Sequence, residues 1–87
     1  MEGSVRKVKD RVVKSFRDVV ILAVLKENDG LNGYEIIQRL YEKLGVLLPP
    51  GTLYSTLYAL EREMLVKGVS QSKSRVYKLT SKGLARL

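Results

Sequence analysis

The chain has 87 residues, which is the length of one domain. At this size a single hydrophobic core is only just large enough to stabilise the fold. Lys and Arg outnumber Asp and Glu by 16 to 9, and the net charge of +7 favours a polyanionic partner: nucleic acid, an acidic membrane surface or an acidic protein. The absence of cysteine and histidine excludes disulfides and thiolate metal sites, and it removes the commonest general base and zinc ligand. The composition therefore predicts a small globular binding domain, not an enzyme, with no metal and no cofactor.

The positive charge lies at the two ends of the chain. Residues 1–18 carry a net charge of +3, residues 19–60 carry −1, and residues 61–87 carry +5. A solvated basic surface without a partner is the alternative explanation of this pattern. The longest apolar run, residues 19–25, is too short to span a bilayer and has no small-residue cleavage site. We therefore expect a cytoplasmic protein. A membrane-surface role would need a basic amphipathic helix, and residues 5–17 could pass for one but carry no Trp or Leu, so no membrane partner is expected.

The first predicted helix extends from about residue 5 to about residue 28. Residues 19–25 are apolar all round, as in a buried helix, although their β-branched content also permits a strand. Along the helix, apolar side chains recur with an average period of 3.6, which predicts a straight helix that packs on the body of the domain. These side chains are Val5, Val8, Val12, Phe16, Val19 and Ala23.

The second predicted helix has clear signals at both ends. Asn32 followed by Glu35 is a capping-box pattern, and Gly45 is the expected stop. Gly33, at the first helical position, either permits close approach of another backbone segment or is simply tolerated there. The predicted apolar stripe consists of Tyr34, Ile37, Tyr41 and Leu44.

The third predicted helix begins at Pro50, because proline suits a first helical position. Its apolar stripe is Leu53, Leu57, Leu60 and Met64. The opposite side is small, hydroxylated and aromatic, with one arginine, whereas a solvent face is usually rich in Lys and Glu. In a basic chain this side indicates a helix that lies against DNA. An ordinary amphipathic helix whose tyrosines cover neighbouring core explains the helix alone equally well.

Residues 65–70 and 75–79 are predicted to form two strands joined by a polar connection, with Tyr77 and Leu79 on one face. Thr80 is the expected cap of a final helix. The order predicts a mainly α fold with a small β-hairpin, a winged helix-turn-helix, whose third helix enters the major groove. We expect a basic extension over 1–14, the winged-helix domain over 15–80 and a helical stub over 81–87. The predicted core consists of Val20, Val24, Ile37, Leu40, Leu53, Leu57, Leu60 and Leu79.

Several short motifs resemble the PadR family of transcriptional regulators. They are Gly-Tyr-Glu-Ile-Ile at 33–37, Pro-Gly-Thr-Leu-Tyr at 50–54, Leu-Glu at 60–61, Leu-Val at 65–66 and Tyr-Lys-Leu-Thr-Ser-Lys-Gly at 77–83. The resemblance implies a dimeric winged-helix DNA-binding regulator, commonly a repressor and not an enzyme. It also implies that the helix holding Thr52, Tyr54 and Ser55 is the recognition helix and that the hairpin 70–76 is the wing.

Three positions depart from the pattern of that family. Met64 stands where glycine is usual, so the exit of the third helix is expected to differ. Pro49 replaces a common serine cap, so the helix is expected to begin without a side-chain acceptor. The sequence ends at Leu87, before the long C-terminal dimerisation helix that the resemblance implies. We therefore expect a minimal form, natural or truncated, that forms a homodimer through residues 5–22.

The candidate DNA-binding residues lie in two segments. On the third helix they are Thr52, Tyr54, Ser55, Tyr58 and Arg62; on the wing they are Lys73, Ser74 and Arg75. Arg62 can pair with guanine, with a phosphate, or with Glu61 or Glu63. Lys73 and Arg75 have an alternative interpretation as solvated turn charges that also protect a strand edge.

An RNA-binding or ribosome-associated winged helix would show the same charge and the same order of helices. Tyr54 and Tyr58, four residues apart on one side, would suit stacking on unpaired bases. A winged helix that binds only proteins would not need net +5 over residues 61–87. The sequence predicts double-stranded DNA as the partner and points to no particular small-molecule effector.

Overall fold

The computed structural model describes the backbone of residues 2–87 and the side chains of residues 7–8 and 15–87. The described elements follow in the order α1 (Glu2–Lys26), β1 (Leu31–Asn32), α2 (Gly33–Leu44), α3 (Pro50–Arg62), β2 (Val66–Gln71), β3 (Ser74–Leu79) and α4 (Ser81–Arg86). The first three helices contact one another, and β2 and β3 form a hairpin. The predicted winged helix-turn-helix is confirmed.

The sheet has a third strand that the sequence analysis did not predict. The two residues of β1 pair with β3, Leu31 opposite Tyr77 and Asn32 opposite Val76, so the strand order is β1-β3-β2. A two-residue strand is too short to show a period, and the sequence signal at Asn32 is that of a helix cap. The hairpin is therefore attached to the rest of the domain along one edge.

The core is one cluster of buried apolar side chains. Six predicted core residues are buried in it: Val20, Val24, Leu40, Leu53, Leu57 and Leu60. Ile37 and Leu79 are partly buried and pack against it. The prediction of a single core shared by three helices and a strand is thus confirmed, with two residues at its margin.

The predicted packing stripe of α1 is wrong in the part that the structure describes. Val8, Phe16 and Val19 are exposed, and the side chains of Val5 and Val12 lie outside the described residues. Instead α1 enters the core through its apolar run, with Val20, Ile21, Leu22, Val24 and Leu25 buried. A period of 3.6 identifies a continuous apolar face, but it does not say what covers that face.

The predicted stripe of α2 is wrong at three of its four positions, since only Ile37 packs against the core. Tyr34, Tyr41 and Leu44 are exposed, whereas Ile36 and Leu40 are completely buried. The helix offers two apolar faces at helical spacing, and the amphipathic pattern alone does not rank them. The face without tyrosines packs inward.

Both predicted ends of α2 are confirmed. The Asn32 side chain accepts a hydrogen bond from the Glu35 backbone N–H at 2.8 Å, and the Glu35 carboxylate accepts one from the Asn32 N–H at 3.0 Å. Gly45 ends the helix with φ of 65°, a left-handed conformation that favours glycine. These caps fix where the first helix of the helix-turn-helix begins and ends.

The exit of α3 keeps a left-handed residue although glycine is absent. Met64 has φ of 63°, and the N–H of Leu65 donates to the carbonyl of Leu60 at 2.9 Å. Thr80 closes the same corner, because its hydroxyl donates to the Met64 carbonyl at 2.7 Å and accepts from the Gly83 N–H at 3.0 Å. The expected cap of α4 is confirmed, and the methionine is accommodated in a conformation that disfavours it.

Candidate nucleic-acid interface

Helix α3 is oriented by the burial of one face. Leu53, Leu57 and Leu60 are completely buried, so the opposite side of the helix faces outward. Pro49 occupies the N-cap position and makes no side-chain capping hydrogen bond, as the sequence analysis expects. The first turn of α3 therefore begins without a side-chain acceptor for its backbone N–H groups.

Ser55, Tyr58 and Arg62 lie on the outward side of α3, and Thr52 and Tyr54 flank it. We call these five predicted residues the recognition surface. Four of them are exposed, and Thr52 is half-buried. The Ser55 hydroxyl donates to the Thr52 carbonyl at 3.1 Å, one turn earlier. The helix thus presents hydroxyls, two phenols and one guanidinium to solvent.

Arg62 and Tyr58 act as a pair on this surface. The guanidinium carbon of Arg62 lies 4.9 Å from the centroid of the Tyr58 ring, which is a cation–π distance. Tyr58 is 66% exposed, so the pair stands out from the helix. The guanidinium and the phenol ring therefore lie together on the exposed side of α3.

Tyr54 meets Gly33 at the start of α2. A Cβ atom added to Gly33 would lie 2.3 Å from the Tyr54 hydroxyl oxygen and 2.6 Å from Cζ, so the phenol occupies the space that a side chain at position 33 would need. The sequence leaves open whether Gly33 permits close approach of another backbone segment or is simply tolerated; the group that approaches it is the Tyr54 side chain and not a backbone segment. The glycine and the tyrosine belong to two separate sequence motifs, and this contact connects them.

Lys73 and Ser74 lie at the end of the hairpin. Ser72 and Lys73 form the two-residue turn, and Ser72 has φ of 54°. Lys73 is exposed, and the hydroxyl of Ser74 donates to the Gln71 carbonyl at 3.4 Å. The structure therefore places a positive charge at the part of the hairpin that extends furthest from the sheet.

Arg75 lies in the hairpin but pairs with α3. Its Nη2 atom is 2.8 Å from Oε2 of Glu61, and its guanidinium carbon is 5.9 Å from the centroid of the Tyr77 ring. The hydrogen bond and the charge of Glu61 raise the pKa of Arg75 above its ordinary value. Glu61, predicted as one possible partner of Arg62, is paired with Arg75 instead.

Among the residues that the structure describes, there is no group of three or more acidic side chains that could hold a metal ion. The same residues include no helix that is long and apolar enough to cross a membrane.

Three helices followed by a hairpin, with an exposed polar face on the third helix, define a winged helix-turn-helix domain. The family model described as "Transcriptional regulator PadR-like family" matches residues 21–87. The chain therefore belongs to the PadR-like family of transcriptional regulators.

Individual relatives agree with this assignment. The transcriptional activator GvpE1 of Halobacterium salinarum is 33% identical over 73 residues, which cover 84% of this chain; the chain spans only 38% of that relative's length. A solved transcriptional regulator from Clostridium thermocellum has a TM-score of 0.79 at 26% identity, covering 87% of this chain and 77% of the other. A PadR family regulator from Clostridium difficile has a TM-score of 0.74 at 28% identity, covering 83% and 79%.

Proposed function

We propose that this domain binds duplex DNA with sequence preference and thereby regulates transcription, with α3 in the major groove and the hairpin on the flanking backbone. The observation that carries the proposal is the recognition surface, which is polar, aromatic and outward-facing while the opposite side of α3 is completely buried. The net charge of +5 over residues 61–87 supports a phosphate-rich partner. Membership of the family supports the same conclusion.

The residues of the recognition surface have different proposed roles. The fork of Arg62 suits the two acceptors on the groove edge of guanine. Ser55, Thr52 and Tyr58 offer hydroxyls that can donate or accept, and such contacts orient the helix more than they select bases. Tyr54, held over the start of α2, suits a phosphate oxygen at the edge of the groove.

The predicted wing residues are Lys73, Ser74 and Arg75, and we propose the first two as its contacts with the DNA backbone. Lys73 and Ser74 are exposed at the end of the hairpin, where they can reach the phosphates beside the groove. Each lysine–phosphate contact releases counterions, so the affinity should fall steeply as salt rises. Arg75 already has an ion-pair partner, Glu61.

The test is selection from random pools of duplex DNA at two salt concentrations, with single-stranded RNA as competitor. Arg62→Ala should change which sequences are retained and cost about 1–3 kcal/mol on the preferred site. Arg86→Ala is the matched control, because it removes the same charge from an exposed position on α4. If Arg62→Ala lowers the affinity for all DNA sequences equally, α3 only positions the domain. A preference for single-stranded RNA over duplex DNA would favour the RNA-binding alternative.

We further propose a homodimer through residues 5–22 that meets a two-fold operator. Phe16 is 56% exposed and Val19 is 48% exposed on α1, although both are large apolar side chains. Burial between two copies would remove this surface from water and stabilise a small domain. Two recognition helices would then meet half-sites about 34–36 Å apart.

Sedimentation tests this arrangement. Phe16→Glu should dissociate the dimer, whereas Leu47→Glu, which changes another exposed apolar residue in the loop before α3, should not. A wild-type monomer at high micromolar concentration would refute the proposal. A dimer that persists in Phe16→Glu and after deletion of residues 1–14 would place the interface elsewhere.

A location in the cytoplasm stays a prediction. Repression, by occupying an operator, is also a prediction. The relative from Halobacterium salinarum is named an activator, so the direction of regulation needs its own measurement. A reporter gene placed behind the selected operator should show lower expression when the protein is present, and higher expression would reverse the prediction.

A further inference from the structure

The side chain of Arg75 lies on the inner face of the hairpin. Successive side chains in a strand point to opposite faces, so Arg75 shares a face with Tyr77, two residues later, which is buried against the core. The guanidinium reaches past Tyr77 to Glu61 in the last turns of α3. Although Arg75 belongs to the wing by sequence position, its charge is directed toward the recognition helix.

Gly68 provides the space for this ion pair. It lies opposite Tyr77 on β2. A Cβ atom added at position 68 would lie 2.5 Å from Nε of Arg75 and 2.6 Å from Oε1 of Glu61. The ion pair therefore passes directly over the glycine, and any larger residue there would have to displace it.

The ion pair connects the two parts of the proposed DNA surface. Glu61 precedes Arg62 of the recognition surface, and Arg75 follows Lys73 and Ser74 of the wing closely along β3. Both charged side chains are partly shielded from solvent, with 46% of the Arg75 side chain and 30% of the Glu61 side chain exposed. An ion pair at this position holds β3 of the hairpin against the last turns of α3.

We propose that Glu61 and Arg75 form a latch that sets the angle of the wing on the recognition helix, so that Arg75 is a positioning residue and not a phosphate contact. The consequence for DNA rests on the proposed function, whereas the latch itself concerns the free protein. The latch lets α3 and the wing arrive at DNA already aligned, which reduces the ordering that binding would otherwise require.

The first test is amide hydrogen exchange in the free protein. Glu61→Gln and Arg75→Gln should each speed exchange over residues 69–76 by about two- to five-fold, the range expected for a partly exposed ion pair. Lys73→Gln, which removes a charge from the turn and leaves the latch intact, should not change exchange at the base of the hairpin. The charge swap Glu61→Arg with Arg75→Glu should restore much of the protection.

The second test uses the duplex selected above and compares it with a scrambled duplex. Gly68→Ala disturbs the latch without changing net charge, so it should lower the ratio of specific to non-specific affinity by about two- to five-fold and leave the salt dependence unchanged. Arg75→Gln should lower the same ratio, also with little change in salt dependence. Lys73→Gln should instead reduce the salt slope by about one unit for each half-site.

The opposite pattern would overturn the latch. If Arg75 binds phosphate, Arg75→Gln will reduce the salt slope as Lys73→Gln does, and Glu61→Gln will raise affinity for the preferred site by freeing the arginine. Unchanged amide exchange in Glu61→Gln and Arg75→Gln would equally refute it. A wild-type protein that selects no duplex would refute the proposed function, and the exchange measurement would still decide whether the latch exists.

Discussion

Replacing Met64 with glycine should make the domain more stable. Met64 has φ of 63° at the exit of α3, and left-handed backbone costs an L-residue roughly 1–2 kcal/mol. Glycine avoids this cost, but it loses more backbone conformational entropy on folding than methionine does. That loss lowers the gain in stability by roughly 0.5–1 kcal/mol. Since the Met64 side chain is 69% exposed, little burial is lost with it. The expected gain is about 0.5–1 kcal/mol.

Gly45 provides the reverse experiment at the same backbone angle. Its φ is 65°, and a Cβ atom added there would meet nothing within 4 Å, so Gly45→Ala isolates the conformational cost. We expect that variant to lose about 0.5–1 kcal/mol, for the reason that favours Met64→Gly. Equal and opposite effects at two helix ends would show that the backbone, and not side-chain packing, determines both.

Urea and thermal unfolding at one fixed protein concentration measure both changes, because dimerisation would make the midpoint depend on concentration. Met64→Gly should raise Tm by about 2–8 °C. Met64→Ala is the control, since it removes the exposed side chain and keeps the Cβ atom that causes the strain. If Met64→Gly is no more stable than Met64→Ala, the strain argument is wrong.

Three other contacts can be tested by single substitutions. Gly33→Ala should displace the Tyr54 phenol, so it should weaken duplex binding in anisotropy titrations as much as Tyr54→Ala does. If the losses of affinity add up in the double variant, the contact is contradicted. Thr80→Ala should cost about 0.5–2 kcal/mol in urea unfolding by uncapping α4, and an unchanged midpoint would show that the cap is dispensable. The hydrogen bond and charge of Lys43 lower the pKa of Glu27 from its ordinary value of 4.5. The stabilisation from this pair is therefore complete above pH 4.5 and is lost as the pH falls through the lower pKa of the folded state. Glu27→Gln should flatten the acid side of a Tm–pH profile, and an unaltered profile would refute the pairing.

The elements with local chemical signals were predictable from the sequence. Asn32 with Glu35, Gly45 and Pro50 mark helix ends through contacts that lie within a few residues, and all three ends are confirmed. The exposed valines and Phe16 of α1 were wrongly predicted to pack on the body of the domain. The sequence pattern of a periodic apolar face is the same whether the core or another surface covers that face. Strand β1 was not predicted, because it is a strand only through its pairing with β3, where Leu31 lies opposite Tyr77. That partner is far away along the chain.

The candidate site was predictable in its position but not in its connections. Burial of Leu53, Leu57 and Leu60 determines which side of α3 faces outward, and a helical wheel supplies that information. The contacts of Tyr54 with Gly33 and of Arg75 with Glu61 depend on how α2 and the hairpin pack on α3. Spacing along the chain carries no signal for such pairs.

The position of β3 between two partners divides the hairpin into a fixed base and a variable end. The base is joined to the start of α2 through the pairing of Asn32 with Val76, while Ser72 and Lys73 contact no second strand. Insertions are tolerated best at exposed loop tips. Related proteins can therefore carry a longer turn here, or residues of different charge at these two positions. Such changes alter how far the wing reaches, while the helices and the core keep the same sequence.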